Sequence, residues 1–135
     1  MVEITLKQIR DKIEAINFEK YNIGITQRPD HKLIKKFMEW FEFENVGTPL
    51  LAMDSNYIFA LTTEYLFWWD DCEGYGCLSI DDVKLVADED LDGVFASDKD
   101  DTYGGFIVDD DIVGGKKMRF VKDMNDLINF MVGGK

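Results

Sequence analysis

Five consecutive large apolar residues, Tyr65-Leu66-Phe67-Trp68-Trp69, constrain this chain more than any other stretch. Thr62-Thr63-Glu64 precede the run and Asp70-Asp71 follow it, so it reads as a strand between polar turns. Side chains alternate along a strand, which sends Leu66 and Trp68 to one face and Tyr65, Phe67 and Trp69 to the other. Both faces are then apolar, and a compact fold must lay something over each. The two helices predicted at the N-terminus are the expected cover for the second face. Left uncovered, these aromatics beside Asp70 and Asp71 would form a binding hot spot with an acidic rim.

The helices are readable from periodicity and caps. Thr5 is a candidate N-cap for a helix carrying Leu6, Ile9, Ile13 and Ile16 at helical spacing. Tyr21 to Pro29 reads as a loop. Asp30 can cap a second helix with Leu33, Ile34, Phe37, Met38, Trp40 and Phe41 on a broad apolar face. Val46-Gly47-Thr48-Pro49 ends the helical part.

Short branched or aromatic runs follow: Leu50–Met53, Tyr57–Leu61 and Tyr65–Trp69, with Asp54-Ser55-Asn56 as one of the turns between them. Cys77–Ile80 and Val83–Val86 are one further strand or two. Phe106–Val113 and Lys116–Val121 are expected to form a β-hairpin around Gly114-Gly115, pairing Asp110 with Arg119. Asp123 is then the expected cap of a short closing helix with Met124, Leu127, Ile128 and Met131. This order has no βαβ alternation. It predicts a single α+β domain over 1–135, helical over 1–45 and strand-rich over 50–132, with an antiparallel sheet or a partly open barrel.

The runs FALTTEYLFWWDD and CLSIDDVKLV, followed by the glycine pair and the closing helix, resemble the bacterial PH/GRAM-like pattern. The resemblance covers roughly residues 50–132 and leaves the first two helices outside. Its motifs are packing motifs and carry no chemistry. It implies a PH-like barrel and a protein-binding scaffold. Lipid-binding members of that superfamily use a basic pocket, whereas this chain is acidic in the middle of the domain, which argues against phosphoinositide binding.

The charge is concentrated. Residues 70–111 hold 15 acids against Lys84 and Lys99, a net of −13, while the other 93 residues hold 12 acids and 13 bases, a net of +1. Such a field repels nucleic acid and anionic lipid and attracts cations or basic proteins. No apolar run approaches the roughly 20 residues that span a bilayer. The N-terminus lacks a signal-peptide layout, so a cytoplasmic location is expected.

Within the acidic block, DEDLDGVFASDK (Asp88–Lys99) begins like a calcium loop. Asp88, Asp90, Asp92 and Gly93 fall at positions 1, 3, 5 and 6, but Lys99 stands where a bidentate acid closes such a loop. Gly93 is expected to mark a turn. Zinc would need four ligands, and Cys72, Cys77 and the single His31 do not reach that number. No nucleophile–base pair or phosphate-cradling glycine loop is recognisable, so no enzyme activity is expected.

What remains is a non-catalytic interaction protein that binds and occludes a basic protein partner. In size and charge it resembles immunity proteins that neutralise nuclease-type toxins, and phage-type inhibitors that mimic nucleic acid. The expected contact residues are Asp88, Glu89, Asp90, Asp92, Asp98, Asp100 and Asp101, with Asp70, Asp71, Glu73 and Tyr75 as a second group. No cofactor is expected. The alternative is a calcium-binding regulatory domain using Asp88, Asp90 and Asp92.

Overall fold

A computed structural model describes residues 4–53, 58–70, 74–90, 92–100 and 103–133. The first helix, α1 (Leu6–Ile16), starts in a capping box: the Gln8 N–H donates to Thr5 Oγ1 and the Thr5 N–H donates to Gln8 Oε1. It ends at Asn17 in the left-handed region, a conformation asparagine tolerates well. A short 3-10 turn (Phe18–Lys20) and the two-residue strand β1 (Ile25–Thr26) lead to α2 (His31–Phe41). Asp30 caps α2 by accepting from the Lys32 N–H at 2.9 Å, and Glu42 terminates it at φ 57°.

Strands β2 (Pro49–Met53), β3 (Ile58–Thr62), β4 (Tyr65–Asp70) and β5 (Gly74–Ser79) follow. With β1 they form an antiparallel sheet in the order β1-β2-β3-β4-β5. A second antiparallel sheet holds β6 (Val83–Val86), β7 (Gly93–Asp98) and β8 (Tyr103–Asp109) in chain order. A 3-10 turn (Asp110–Val113) connects β8 to the closing helix α3 (Lys117–Gly133). This is the α+β class expected. No helix among the described residues is long and apolar enough to cross a membrane.

Register explains how the aromatic strand is buried on both faces. One row across the large sheet reads Ala52, Ala60, Phe67, Cys77, and α2 covers it with Ile34 and Phe37. Phe37 stacks on Phe67 with centroids 5.3 Å apart, and the two alanines are buried in the same cluster. The adjacent row reads Met53, Phe59, Trp68, Gly76 and faces the main core. That core also takes Ile9 and Ile13 of α1, Phe120, Met124, Leu127, Ile128 and Met131 of α3, and the inward residues of the small sheet. Of the two N-terminal helices, then, α2 alone covers the second face of β4, while α1 packs beside α3 on the first. Each fully buried phenylalanine contributes roughly 1.5–3 kcal/mol.

Four expectations change. Residues 116–121 are not a hairpin strand. Lys117 opens α3, and Asp123 lies inside that helix rather than capping it. The spacing Phe120, Met124, Leu127/Ile128, Met131 continues one helical stripe, and its burial outweighs the local alternation Lys117-Met118-Arg119-Phe120. The expected Asp110–Arg119 pair therefore does not form across a ladder; Asp110 Oδ1 instead accepts from the Lys117 N–H at 3.1 Å, at the start of α3. Gly114 and Gly115 do turn the chain, at φ 67° and 74°, but into a helix. Gly93 is not a turn residue either. It opens β7, where a Cβ would lie 2.5 Å from the Val108 carbonyl oxygen.

Asn125 of α3 acts on the margin of the small sheet. Its side-chain Oδ1 accepts from the Leu85 N–H at 2.8 Å, and its Nδ2 donates to the Leu85 carbonyl at 2.9 Å. The amide thus stands in for a neighbouring strand on the outer edge of β6.

Candidate interaction surface

The small sheet sorts the acidic block to its two ends. The connection from β6 to β7 carries Asp88, Glu89, Asp90 and Asp92, and β8 ends beside it because Gly93 pairs with Asp109. The Asp110 N–H donates to the Asp92 carbonyl at 2.9 Å, which draws the 3-10 turn against this connection. Asp92, Asp109, Asp110, Asp111 and Lys117 line a groove of about 350 Å³. Asp88, Glu89, Asp90, Asp92 and Asp111 are exposed. Asp88 Oδ1 accepts from the Asp90 N–H at 2.8 Å, which holds the connection in a local turn.

Asp98 and Asp100 lie at the opposite end of β7, where Val83 pairs with Asp98. Here Asp98 Oδ1 accepts from the Asp100 N–H at 3.0 Å. At about 3.3 Å per residue, six-residue β7 separates the two ends by roughly 17 Å. Asp81 and Asp82 join this second end through the turn before β6. The residues expected to act as one patch thus fall in two groups. Asp71, Glu73, Asp101 and Cys72, and the expected turn at Asp54–Asn56, lie outside the described residues, as does the side chain of Asp70.

Asp109, Asp110 and Asp111 belong to the first group and were not among the expected contact residues. A signal for them was present: they close the same 70–111 acidic block. The expected hairpin sets Asp110 against Arg119, which offsets part of this run and so hides it.

Tyr75 stands apart, on β5. It is 49% exposed and stacks on Trp40 of α2 with centroids 4.8 Å apart. Phe41 meets the same ring edge-on at 5.2 Å. These rings form a partly exposed aromatic shelf at the margin of the large sheet.

For a calcium loop, the backbone must curl round the ion through its later positions. Here β7 begins at the sixth position and runs extended to Asp98, paired by β6 on one side and β8 on the other. Of the ligand positions of such a loop, only the first, third and fifth, at Asp88, Asp90 and Asp92, fall in the connecting segment. Among the described residues, no group of three or more His, Cys, Asp or Glu side chains is arranged to hold a metal ion.

Burial pushes the Cys77 thiol up to about 12, which leaves it protonated and a poor nucleophile near neutrality. His31 is exposed in the first turn of α2. A cavity of about 70 Å³ under α2, lined by Leu33, Phe37, Trp40 and Phe59 with Lys32 and Lys36, is far below the roughly 300 Å³ of small-molecule sites.

Comparison with family models, with curated proteins and with solved structures finds no match for this chain. The PH/GRAM-like resemblance of residues 50–132 therefore rests on its packing motifs alone.

Proposed function

We propose that this chain is a non-catalytic protein that captures a basic protein partner through its acidic face and occludes a cationic surface on it. The observation that carries this reading is the groove of Asp92, Asp109, Asp110 and Asp111, continuous in the chain with exposed Asp88, Glu89 and Asp90. Four carboxylates against the single Lys117 leave this concave surface net negative, and such a surface focuses its field and raises the local concentration of the opposite charge. Asp110 spends one carboxylate oxygen on the start of α3, so the groove is anchored to a 17-residue helix rather than hung on a free loop. A fixed array of carboxylates is the complement of a cleft that binds phosphate backbones. That makes an immunity protein against a nuclease-type toxin, or an inhibitor mimicking nucleic-acid charge, the kind of protein this surface suits.

The test uses the basic protein that co-purifies with the tagged chain, and measures its association rate by stopped flow. A variant with Asp88→Asn, Glu89→Gln, Asp90→Asn, Asp92→Asn and Asp111→Asn keeps the turn-forming side-chain oxygen at position 88 and removes five charges. It should associate at least about tenfold more slowly. An unchanged rate, with the fold intact by circular dichroism, would overturn the reading.

A further inference from the structure

We propose that β5 is a strand-addition edge, which receives an extended basic segment of the protein partner as the next strand of the large sheet. This rests on the reading of the chain as a binder of basic proteins and names the surface and the form of the contact.

The first observation is an asymmetry among the sheet margins. β1 is two residues long, and β6 is closed at Leu85 by the Asn125 amide. β8 is packed across the large sheet, its glycines against Trp68. β5 is six residues long and, among the described residues, pairs only with β4. Its residues are exposed or half-buried throughout. The sequence Gly-Tyr-Gly-Cys-Leu-Ser contains no proline, lysine or other charge of the kind that guards an outer strand. Alternate residues of such a strand turn N–H and C=O groups outward, ready for a neighbour.

The second observation is charge. Asp70, Asp71 and Glu73 precede β5, Asp81 and Asp82 follow it, and no lysine or arginine occurs between Asp70 and Lys84. In the sequence, β5 is therefore flanked by acids on both sides, and of these the described Asp81 and Asp82 are exposed in the turn before β6. A second copy of this chain, pairing antiparallel through the same strand, would set these acids against one another. A segment rich in lysine or arginine meets the opposite sign at each end.

The third observation is the aromatic shelf. A residue of the added strand lying opposite Tyr75 has its Cβ about 5 Å from that of Tyr75. A lysine or arginine there reaches the Tyr75 and Trp40 rings, which stack at an interplanar angle of 19° beside it. A cation within about 6 Å of such a ring face is attracted to it. Hydrogen bonds from the edge supply affinity, and the shelf favours a cation at one register.

The experiment titrates the whole chain with an alternating lysine–threonine peptide of about ten residues, long enough to span β5. Two analogues carry N-methyl groups on either the odd or the even residues, with the same charge and length. Amide hydrogen exchange locates the contact. The proposal expects saturable binding and slowed exchange over residues 74–79. It also expects about a tenfold or greater loss on N-methylating one register but not the other, and a similar loss in a Tyr75→Lys protein shown to be folded by circular dichroism. Equal affinity of the peptide and both analogues, or protection confined to 88–92 and 109–111, would overturn strand addition while leaving capture by charge intact. No binding of this peptide or of polylysine would remove capture by charge as well. Concentration-dependent dimerisation with protection of 74–79 would assign the edge to a second copy and overturn the proposal.

Discussion

Substituting Gly105 by alanine tests how the two sheets are fastened together. Trp68 is 4% exposed and its indole lies between Gly76 on β5 and Gly105 on β8. A Cβ at Gly105 would sit 2.9 Å from Trp68 Cε2, 3.0 Å from Cδ1, and nearer still to Nε1. The ring cannot retreat across the sheet, because Gly76 is its directly opposed partner and a Cβ there would already lie 2.5 Å from Cζ2. Phe59 holds the other side of the same row. The methyl group must therefore push β8 away from the large sheet. Overpacking of this kind costs roughly 1–3 kcal/mol, which for a domain of this size lowers the thermal midpoint by roughly 3–15 °C. Urea unfolding followed by far-ultraviolet circular dichroism measures it. Gly133→Ala is the control, since a Cβ there meets nothing within 4 Å. Trp68→Leu should relieve part of the strain, so the double variant should lose less than the sum of the single losses, by about 0.5 kcal/mol or more. A Gly105→Ala protein within about 0.5 kcal/mol of the parent, or strictly additive losses, would refute the wedge. Because β8 runs from Gly105 to the groove at Asp109, the same variant should also disturb the acidic face.

Two further outcomes concern α3. Asn125→Leu leaves the Leu85 N–H and carbonyl without the side-chain amide, which should cost roughly 1–3 kcal/mol in urea unfolding and speed hydrogen exchange at Leu85; unchanged exchange there would show that the edge is not closed by this residue. Asp123 accepts from Tyr21 Oη at 2.5 Å and pairs with Lys20 at 3.1 Å. Burial alone would raise its carboxyl, but the hydrogen bonds from Tyr21 and Lys20 and the charges of Lys20 and Arg119 outweigh it, and the net direction is downward. A carboxyl lowered by folding adds stability that is full above its unfolded value near 3.9 and is lost as pH falls through the lower folded value. Asp123→Asn should therefore be less stable than the parent at neutral pH, and the gap should shrink in acid below about pH 4. A gap of the same size at both pH values would contradict the assigned network.

The parts of the fold set by local chemistry were readable from sequence. Thr5 and Asp30 cap the helices they were expected to cap, and the alternation in Tyr65–Trp69 correctly predicts two covered faces. The parts set by long-range packing were not. Lys117 to Phe120 alternate polar and apolar, as a strand would, and only the stripe reaching Met131 shows that Phe120 belongs to a helix while Met118 is 51% exposed. Gly93–Asp98 was hidden inside an acidic, glycine-containing stretch. Its glycine serves the close approach of β8 to β7, which no local signal reports. The acids themselves were plain in the composition. Their division between two ends of one strand, and the gathering of Asp92 with Asp109–Asp111, follow from the antiparallel register alone.

The salt dependence of association with the co-purifying basic protein tests the central claim most directly. Steering by opposed charges raises association rates by roughly ten- to a thousandfold at low ionic strength and is screened over about 10 Å at 0.1 M salt. The rate constant should fall steeply as salt increases, and the variant lacking charges at positions 88, 89, 90, 92 and 111 should show a shallower slope that meets the parent's at high salt. A rate that is flat in salt, or identical slopes for parent and variant, would contradict capture through the acidic face.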